Sequence, residues 1–259
     1  MNTPLDTTPP PLEAIGLTKR YEDGVLALDN VSFAVEVGQL YAILGGNGAG
    51  KTTAINLFLN LLEPTRGEAS ICGIPSHRRP LAAKEKVAFV SENVMLYPNF
   101  TALQNLDFFA RLGGKTDYTA DDYHQVLDRV GLDREFHRGK LKDFSKGMRQ
   151  KCGIAIAILK DAPAILLDEP TAGLDPKAGH DFLKLLDELR SEGKAILMST
   201  HDIFRAKEVA DVVAIMDKGK MIMQTKAADL VGRDLESIYM QYMAGYNGNE
   251  ASPAETRHA

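Results

Sequence analysis

The chain has 259 residues, of which 44% are hydrophobic and 25% charged, an ordinary composition for one large folded domain or two small ones. Its 30 basic and 35 acidic residues give a formal net charge of −5, so a broad cationic surface for a nucleic-acid backbone is excluded and we expect no nucleic-acid partner. Two cysteines, far apart in sequence, exclude a zinc site built on paired cysteines and argue against a disulfide framework.

Neither end of the chain contains a candidate for a signal peptide or a membrane-spanning helix. Residues 1–11 are rich in Thr and Pro and predict a disordered leader, and residues 247–259 predict a disordered tail. The most apolar runs, such as Gly153–Leu159, are much shorter than the roughly 20 residues that cross a bilayer. We therefore expect a soluble domain over residues 12–246, with any membrane role supplied by a partner.

The first third of this domain predicts strands around one helix. Two segments alternate with a period near two, as half-buried strands do. A short apolar run then ends at a glycine pair, and a helical pattern follows until a Glu-Pro dipeptide should stop it. The predicted strands are Leu12–Leu17, Val31–Val37, Gln39–Leu44 and Val87–Val90, and the predicted helix is Lys51–Leu62.

The middle of the chain, about 93–160, predicts helices. Thr101 is a plausible N-cap for a helix over Ala102–Leu112, and Ala120–Val130 is amphipathic. A third helix is expected from Met148 to Leu159. Because this region is periodic and apolar throughout, we interpret it as an inserted helical subdomain and not as a linker.

The last third alternates strands with helices, which implies a mainly parallel sheet covered on both faces, and so an α/β fold. A final hairpin turns at Asp217–Lys220 and is followed by a short closing helix. The predicted strands are Ala164–Leu167, Ala195–Ser199, Val212–Met216 and Met221–Gln224, and the predicted helices are Ala178–Arg190, Ile203–Val209 and Leu235–Met243.

Residues 45–52 read GGNGAGKT and fit the pattern G-x-x-x-x-G-K-[ST] between an apolar strand and a helix. Glycines let backbone N–H groups face phosphate oxygens without Cβ clashes, and the helix N-terminus adds its dipole. This context favours a phosphate cradle over a structural glycine-rich turn, with Lys51 on the β- and γ-phosphates and Thr52 on Mg²⁺. The expected nucleotide-binding residues are Gly45, Gly46, Asn47, Gly48, Ala49, Gly50, Lys51, Thr52 and Thr53.

A second apolar strand ends in two acids, Asp168 and Glu169, before Pro170. In proteins with a phosphate cradle such an aspartate holds the Mg²⁺ shell, and the adjacent glutamate would polarise the attacking water. Neighbouring residues of a strand face opposite sides, which suits two separate roles. An acidic turn without chemistry is the alternative, and the upstream cradle favours the catalytic interpretation.

Three further segments, in addition to the cradle and the acidic pair, resemble motifs of the ABC ATPase family. Phe144–Gln150 (FSKGMRQ) resembles its signature loop, Ala172–Asp175 its D-loop, and Ser199–Asp202 its switch-histidine segment. The resemblance runs from Leu12 to about Met243. It implies a P-loop NTPase (RecA-like) core with an N-terminal antiparallel β subdomain and the inserted α-helical subdomain.

By this resemblance, two cassettes sandwich two ATP molecules head to tail, and a homodimer is expected. Ser145 and Gly147 would contact the γ-phosphate bound to the opposite subunit. His201 would hydrogen-bond the γ-phosphate and orient Glu169, and Tyr21 would stack on adenine. The partner that the resemblance implies is an integral-membrane permease, which would hold the chain on the cytoplasmic face of the inner membrane.

Two segments depart from the usual family pattern. The signature segment has Lys146 in place of its first glycine and Met148 in place of glutamine, and Glu92 stands where the family has a Mg²⁺-contacting glutamine. A carboxylate can still serve a hard cation, so we expect Glu92 among the metal-binding residues with Thr52 and Asp168. Both departures resemble exporter ATPases that pair with type-2 membrane domains, as does the segment from Leu96 to Leu106.

Two other functions remain open from the sequence. A non-transport ABC ATPase of translation or DNA repair usually carries a second cassette or long insertions, neither of which is present here. A regulatory cassette that binds ATP without hydrolysing it is disfavoured by the intact set of Lys51, Asp168, Glu169 and His201, whereas the altered signature and Glu92 keep it possible.

Overall fold

The structure is a computed structural model that describes residues 8–230 and 235–245. Most of the predicted leader and all of the predicted tail lie outside the described residues. In chain order, the elements are β1 (Leu12–Arg20), β2 (Leu26–Val35), β3 (Leu40–Leu44), α1 (Lys51–Phe58), β4 (Arg66–Ile71), β5 (Ile74–Pro75), α2 (Pro80–Glu85), β6 (Val87–Val90), α3 (Ala102–Leu112), α4 (Ala120–Arg129), α5 (Lys146–Lys160), β7 (Ala164–Asp168), α6 (Pro176–Ser191), β8 (Ala195–Thr200), α7 (Ile203–Val209), β9 (Val212–Asp217), β10 (Lys220–Lys226) and α8 (Leu235–Gly245). Short 3₁₀ turns cover Arg134–Phe136, Leu141–Asp143 and Ala227–Leu230.

The strands form two sheets of different character. The smaller sheet has the order β2-β1-β4-β5 and is antiparallel throughout. The larger sheet has the order β10-β9-β3-β8-β7-β6, in which every pair is parallel except the β9–β10 hairpin. Because β3, β8 and β7 are parallel neighbours, their carboxyl ends lie side by side at one edge of the sheet.

Alternate residues of the central strands feed two separate cores. On β3, Tyr41 and Ile43 pack toward α1 and the smaller sheet, whereas Leu40, Ala42 and Leu44 pack toward the helices of the opposite face. All five are at most 1% exposed. A strand buried on both faces reads as a continuous apolar run, which is the pattern of this segment.

The predicted helix over Lys51–Leu62 is wrong at its C-terminal end, because α1 stops at Phe58. Asn60 adopts a positive φ of 48°, and the N–H of Leu61 donates to the Asn56 carbonyl at 2.9 Å, which closes the helix. Asparagine tolerates this left-handed conformation better than most residues. The chain therefore turns before the Glu-Pro dipeptide that the sequence suggests as the stop.

The region from residue 66 to 85 forms β4, β5 and α2, for which the sequence analysis makes no prediction. Strand β4 pairs with β1, with Leu12 opposite Ile71 and Ala14 opposite Ala69. All four of these side chains are buried. The core of the smaller sheet therefore depends on β4, which the sequence pattern does not predict.

Helices α3, α4 and α5 follow β6 and precede β7 in the sequence, and they pack together. The predicted N-cap Thr101 is confirmed: its side chain accepts from the N–H of Gln104, whose side chain bonds back to the Thr101 N–H. The next two N–H groups of α3 donate to the carbonyls of Gly139 and His137. Among the described residues, no helix is long and apolar enough to span a bilayer.

Candidate active site

Three adjacent strand ends bring together the predicted catalytic residues. The glycine cradle follows β3, Asp168 ends β7 and Glu169 follows it, and His201 follows β8. The register places Asp168 beside Ser199 and Leu44 beside Thr200. The N–H of Gly45 donates to the Thr200 carbonyl at 3.3 Å, which fixes the cradle to the switch strand. Ligands of α/β folds bind outside such carboxyl ends.

The cradle ends at Gly50, the N-cap of α1, which adopts a φ of 109°. A Cβ at this position would lie 2.5 Å from the Ala27 carbonyl oxygen, so only glycine fits. No side chain caps the first turn of α1. The N–H groups that begin a helix have no intrahelical acceptor, and here they are left for an anion.

The Lys51 side chain is 5% exposed and lies inside the cradle. Its Nζ donates to the carbonyls of Gly45 at 2.6 Å and Gly46 at 3.2 Å, and lies 3.2 Å from Oε1 of Glu169. A buried ammonium requires such partners because desolvation of an unpaired charge is costly. Phosphate oxygens are equivalent partners for Nζ, so the arrangement fits a nucleotide phosphate.

Asp168 and Thr52 place two hard oxygen ligands together. The Thr52 Oγ1 donates to Oδ1 of Asp168 at 3.2 Å, and the Ser199 Oγ donates to the same oxygen at 2.5 Å. Mg²⁺ is usually held by one or two protein oxygens together with phosphates and water. No cluster of three metal-ligating side chains occurs in residues 8–230 and 235–245, and this pair fits a Mg²⁺ ion completed by the nucleotide.

Glu169 occupies a left-handed backbone conformation with a φ of 47°. For a residue other than glycine this costs roughly 1–3 kcal/mol, and such strain concentrates at functional sites. The Glu169 N–H is held by Ser199, by its Oγ at 3.1 Å and its carbonyl at 3.2 Å. The prediction that strand alternation separates the two acids is wrong, because β7 ends at Asp168 and the left-handed turn redirects Glu169.

His201 lies against the same carboxylate. Its Nδ1 is 2.9 Å from Oε2 of Glu169, and its backbone N–H donates to that oxygen at 3.3 Å. A carboxylate only accepts hydrogen bonds, so Nδ1 carries the proton. The Glu169 side chain is 14% exposed and that of His201 is 59% exposed, so His201 forms the outer wall of the site.

Tyr21 follows β1 and lies beside the first turn of α1. Its hydroxyl is 3.4 Å from Oγ1 of Thr53, and Lys19 Nζ lies 5.5 Å from the ring centroid. The structure therefore brings Tyr21 and Thr53 together next to the cradle. Stacking of adenine on Tyr21 stays a prediction.

Ser145 is the N-cap of α5, and its Oγ accepts from the N–H of Met148 at 3.2 Å. Gly147 lies in the first turn of the same helix and faces Leu174 and Ala178. Within the described part of the chain, no hydrogen bond or ion pair joins Ser145 or Gly147 to the cradle. Their predicted contact with nucleotide stays a prediction, as does the metal role of Glu92, whose carboxylate lies 3.1 Å from Lys146 Nζ.

Two residues contribute to the site although the sequence patterns do not predict a role for them. Ser199 holds both acids, and its position opposite Asp168 in a parallel pair was the available signal. Arg205 on α7 donates to the carbonyls of Thr171 at 2.7 Å and Leu174 at 3.3 Å, and so fixes the loop that follows Glu169. Arginine is well suited to this because its rigid fork serves two acceptors at once.

The family description for ABC transporters matches residues 28–172. The chain belongs to the ABC transporter family. Nod factor export ATP-binding protein I of Cupriavidus metallidurans is 34% identical over 238 residues, covering 88% of this chain and 76% of that protein. ABC transporter ATP-binding protein NatA of Bacillus subtilis is 34% identical over 232 residues, covering 86% of this chain and 94% of that protein.

An ABC transporter relative of known structure is a dimeric ATP-binding cassette in a post-hydrolysis state bound to ADP and Pi. It matches with a TM-score of 0.75 at 28% identity, covering 83% of this chain and 98% of its own. The predicted fold class is confirmed, and so are the ATP-binding function and the ATPase activity. The chain is the ATP-hydrolysing subunit of an ABC transporter.

Proposed function

We propose that this chain pairs with a second cassette around two Mg-ATP and drives a separate membrane-spanning permease that exports its substrate. The observation that carries the hydrolytic step is the position of one carboxylate. Glu169 lies between Lys51 on one side, at 3.2 Å, and His201 on the other, at 2.9 Å. Lys51 lies inside the cradle, and the cradle is joined to Thr200, the residue before His201, so the carboxylate lies where a water can approach a terminal phosphate.

ATP binding exchanges the partners of Lys51. Its Nζ leaves the carbonyls of Gly45 and Gly46 and takes β- and γ-phosphate oxygens, with the N-terminus of α1 adding its dipole. Thr52 and Asp168 would hold a Mg²⁺ ion, which would neutralise charge on the phosphates. The release of Lys51 leaves the Glu169 carboxylate available to a water molecule.

Hydrolysis then depends on how firmly Glu169 is held. Ser199 fixes its backbone, and the His201 Nδ1–H fixes one carboxylate oxygen. The other oxygen accepts a hydrogen bond from the attacking water and takes its proton as the bond to the γ-phosphorus forms, while the bond from that phosphorus to the bridging oxygen breaks and ADP leaves. Positioning of this kind supplies most of the acceleration of phosphoryl transfer, because the protein does little covalent chemistry.

A second cassette completes each site. The Ser145 end of α5 makes no described contact with its own cradle. Apart from the Met148 N–H, which donates to Ser145 Oγ, the first N–H groups of α5 and the Ser145 hydroxyl proton can serve a nucleotide on another molecule. The matched post-hydrolysis cassette is a dimer, which supports the same arrangement here. A homodimer is the simplest form of this pair, because each chain carries both a cradle and a signature segment.

An apolar groove supports the permease interface. It has a volume of about 420 Å³ and lies between β6 and the C-terminal turns of α3 and α5. Leu61 and Leu112 on its wall are 61% and 72% exposed, and Phe89 is 39% exposed. Its described lining includes three lysines and no acidic residue, so it fits an apolar helix with acidic flanks from a cytoplasmic loop. With such a permease as its partner, the chain would lie on the cytoplasmic face of the inner membrane.

The names of two relatives support the proposed direction of transport. One relative is named for Nod factor export, and the other is NatA. Both align over 86% or more of this chain, including the cradle and the signature segment. We assign export on this basis, with the cargo bound by the permease.

The test is phosphate release by purified wild-type chain and by Glu169→Gln. We expect the variant to lose at least about 100-fold in kcat while it still binds Mg-ATP, because the amide cannot accept the proton. We also expect it to elute as a dimer in ATP and as a monomer in ADP. Release near the wild-type rate in the variant would refute the assignment of Glu169.

The permease interface needs its own experiment. Phe89→Ser with Leu112→Ser should leave phosphate release by the isolated chain within about twofold, since neither side chain lines the nucleotide site. Co-purification with a hydrophobic membrane protein from detergent-solubilised host membranes should be lost. If the double variant still co-purifies stoichiometrically, the groove is not the docking surface. A wild-type chain that binds ATP without releasing phosphate would support a regulatory cassette instead.

A further inference from the structure

The two departures from the family pattern meet in the structure. Glu92 Oε1 lies 3.1 Å from Lys146 Nζ, although 54 positions separate the two residues. Glu92 is in the loop after β6, and Lys146 is the first residue of α5. An ion pair therefore joins the loop after β6 to the signature end of α5.

A stripe along α5 contacts the same loop. Lys146, Gln150 and Gly153 have the spacing i, i+4 and i+7, which places them on one face of the helix. The Gln150 Nε2 donates to the carbonyls of Ser91 at 3.2 Å and Glu92 at 2.8 Å. Segment 91–94 is thus attached to α5 by more than the ion pair.

Gly153 on this face of α5 explains why the helix and the loop after β6 lie so close together. A Cβ on Gly153 would lie 3.1 Å from Cγ1 of Val94 and 3.2 Å from Cγ1 of Val90, so a larger residue would push the loop outward. Gln150 is fully buried, whereas the side chains of Lys146 and Glu92 are 31% and 47% exposed. The ion pair is the solvent-facing end of a contact whose other members are buried.

Exposed ion pairs usually contribute little, because two long side chains must be ordered in water. Here the Glu92 backbone is already held by Gln150, which sits one helical turn from Lys146. The entropy lost on pairing is correspondingly smaller. The ion pair therefore fixes the position of the Glu92 loop relative to α5 more than it stabilises the fold.

The positive charge at the start of α5 is a second reason why the ion pair forms. The first turn of α5 contains no acidic residue, although it carries Lys146 and Arg149 on the positive end of the helix dipole. Glu92 supplies the missing negative charge from another segment. Lys146 also lies against the loop after Glu169, because a Cβ on Gly173 would be 3.4 Å from its Nζ.

We propose that Glu92 and Lys146 form a positioning pair that fixes the α5 N-terminus, with Ser145 and Gly147, relative to the loop after β6. This rests on the proposed dimer, in which that N-terminus meets the nucleotide of the partner cassette. The pair holds the signature segment in the geometry that binds ATP across the interface.

A double-mutant cycle in steady-state ATP hydrolysis tests this pair. Glu92→Gln and Lys146→Gln should each raise the KM for ATP about two- to fivefold, the range of a modest ion pair, with kcat within twofold. The double variant should be no worse than either single variant, because each one already breaks the same contact. Glu92→Asp with Lys146→Arg, which keeps both charges, should recover part of the loss. Arg78→Gln, which breaks an exposed ion pair with Glu68 in the smaller sheet, is the matched control and should change neither constant.

Three outcomes would overturn the proposal. Effects that multiply in the double variant would mean that the two residues act independently. Opposite effects, with Glu92→Gln lowering KM and Lys146→Gln raising it, would mean that they act only as charges near phosphate. A higher Mg²⁺ requirement in Glu92→Gln alone would make Glu92 a metal ligand.

A binding measurement keeps this test separate from the proposed function. In the Glu169→Gln background, both single variants should require about two- to fivefold more ATP for half-maximal dimer formation in analytical ultracentrifugation. If the Glu169→Gln chain itself never dimerises in ATP, the proposed function fails. If it dimerises and the added substitutions leave its ATP dependence unchanged, only the positioning pair fails.

Discussion

His201 and Glu169 form one hydrogen-bonded unit across two neighbouring strands, with Nδ1 of the histidine 2.9 Å from Oε2 of the carboxylate. The other carboxylate oxygen lies 3.2 Å from Lys51. When Lys51 takes phosphate oxygens, His201 is the side chain that continues to hold Glu169. The orientation of the carboxylate during hydrolysis then depends on the histidine.

Two substitutions of His201 should distinguish the role of its Nδ1 from that of the rest of the ring. His201→Ala removes the bond to Glu169 and should lower kcat about 100-fold or more, with ATP binding retained. His201→Asn keeps a donor near the Nδ1 position and should remain about tenfold faster than the alanine variant. Phosphate release under saturating Mg-ATP measures both. Equal rates in the two variants would show that orientation of Glu169 through Nδ1 is not the role of this residue.

Ser199 should control the affinity of the site for Mg²⁺. Its hydroxyl bonds Asp168 at 2.5 Å and accepts from the Glu169 N–H at 3.1 Å, so Ser199→Ala leaves both groups short of a partner. We expect the Mg²⁺ concentration for half-maximal hydrolysis to rise about tenfold, since loss of a charge-assisted hydrogen bond costs about 1.5–3 kcal/mol. A magnesium titration at fixed ATP measures this.

The control for Ser199 is another buried serine. Ser76 is 1% exposed, and its Oγ has no hydrogen-bond partner among the described residues. Ser76→Ala should leave the magnesium dependence unchanged. An unchanged magnesium dependence in Ser199→Ala would remove Ser199 from the metal site.

Two neighbouring glycines of the cradle should differ in their effect on folding. A Cβ on Gly45 would lie 2.5 Å from the Met216 carbonyl oxygen and 2.9 Å from Cβ of Ala49, whereas a Cβ on Gly46 would meet nothing within 4 Å. Gly45→Ala should lower the free energy of unfolding by about 1–3 kcal/mol, the cost of overpacking. Gly46→Ala should change it by less than about 0.5 kcal/mol. Urea unfolding without nucleotide measures both, and equal losses would contradict the cradle geometry.

The residues of the nucleotide site could be predicted because each belongs to a short motif at a strand end. The GGNGAGKT segment, the acidic pair and the switch histidine are local patterns, and the parallel sheet then brings them together. Asp168 and Thr52 lie far apart in sequence, yet Thr52 Oγ1 and Asp168 Oδ1 are 3.2 Å apart. The α/β architecture followed from the alternation of strands and helices for a similar reason.

Contacts between distant segments without a motif were not predictable. Glu92 and Lys146 each looked like an isolated departure, and only the packing of α5 on the loop after β6 makes them partners. The left-handed turn at Glu169 was missed because φ depends on what holds the backbone, here Ser199. The early end of α1 has the same origin, since Asn60 closes a helix whose apolar pattern continues.

Arg205 and Gly179 should act as one unit in hydrolysis. The Arg205 guanidinium holds the carbonyls of Thr171 and Leu174, and its Nε lies 3.0 Å from Oδ2 of Asp202, next to His201. It therefore ties the loop after Glu169 to the segment after His201. Arg205→Ala should lower kcat about tenfold with little change in the KM for ATP, because the loss is in positioning. Arg205→Lys should recover only part, since an ammonium lacks the planar fork with which the guanidinium reaches both carbonyls and Asp202 at once.

Gly179 offers an independent way to displace the guanidinium without removing it. A Cβ there would lie 2.7 Å from Cζ of Arg205, at the flexible end of that side chain. Gly179→Ala should thus lower kcat as Arg205→Ala does, although alanine within a helix stabilises by about 1 kcal/mol relative to glycine. Arg129→Ala, which removes an arginine paired with Glu192 on the surface, serves as the control. A Gly179→Ala chain that is more stable and fully active would show that the guanidinium position does not matter for hydrolysis.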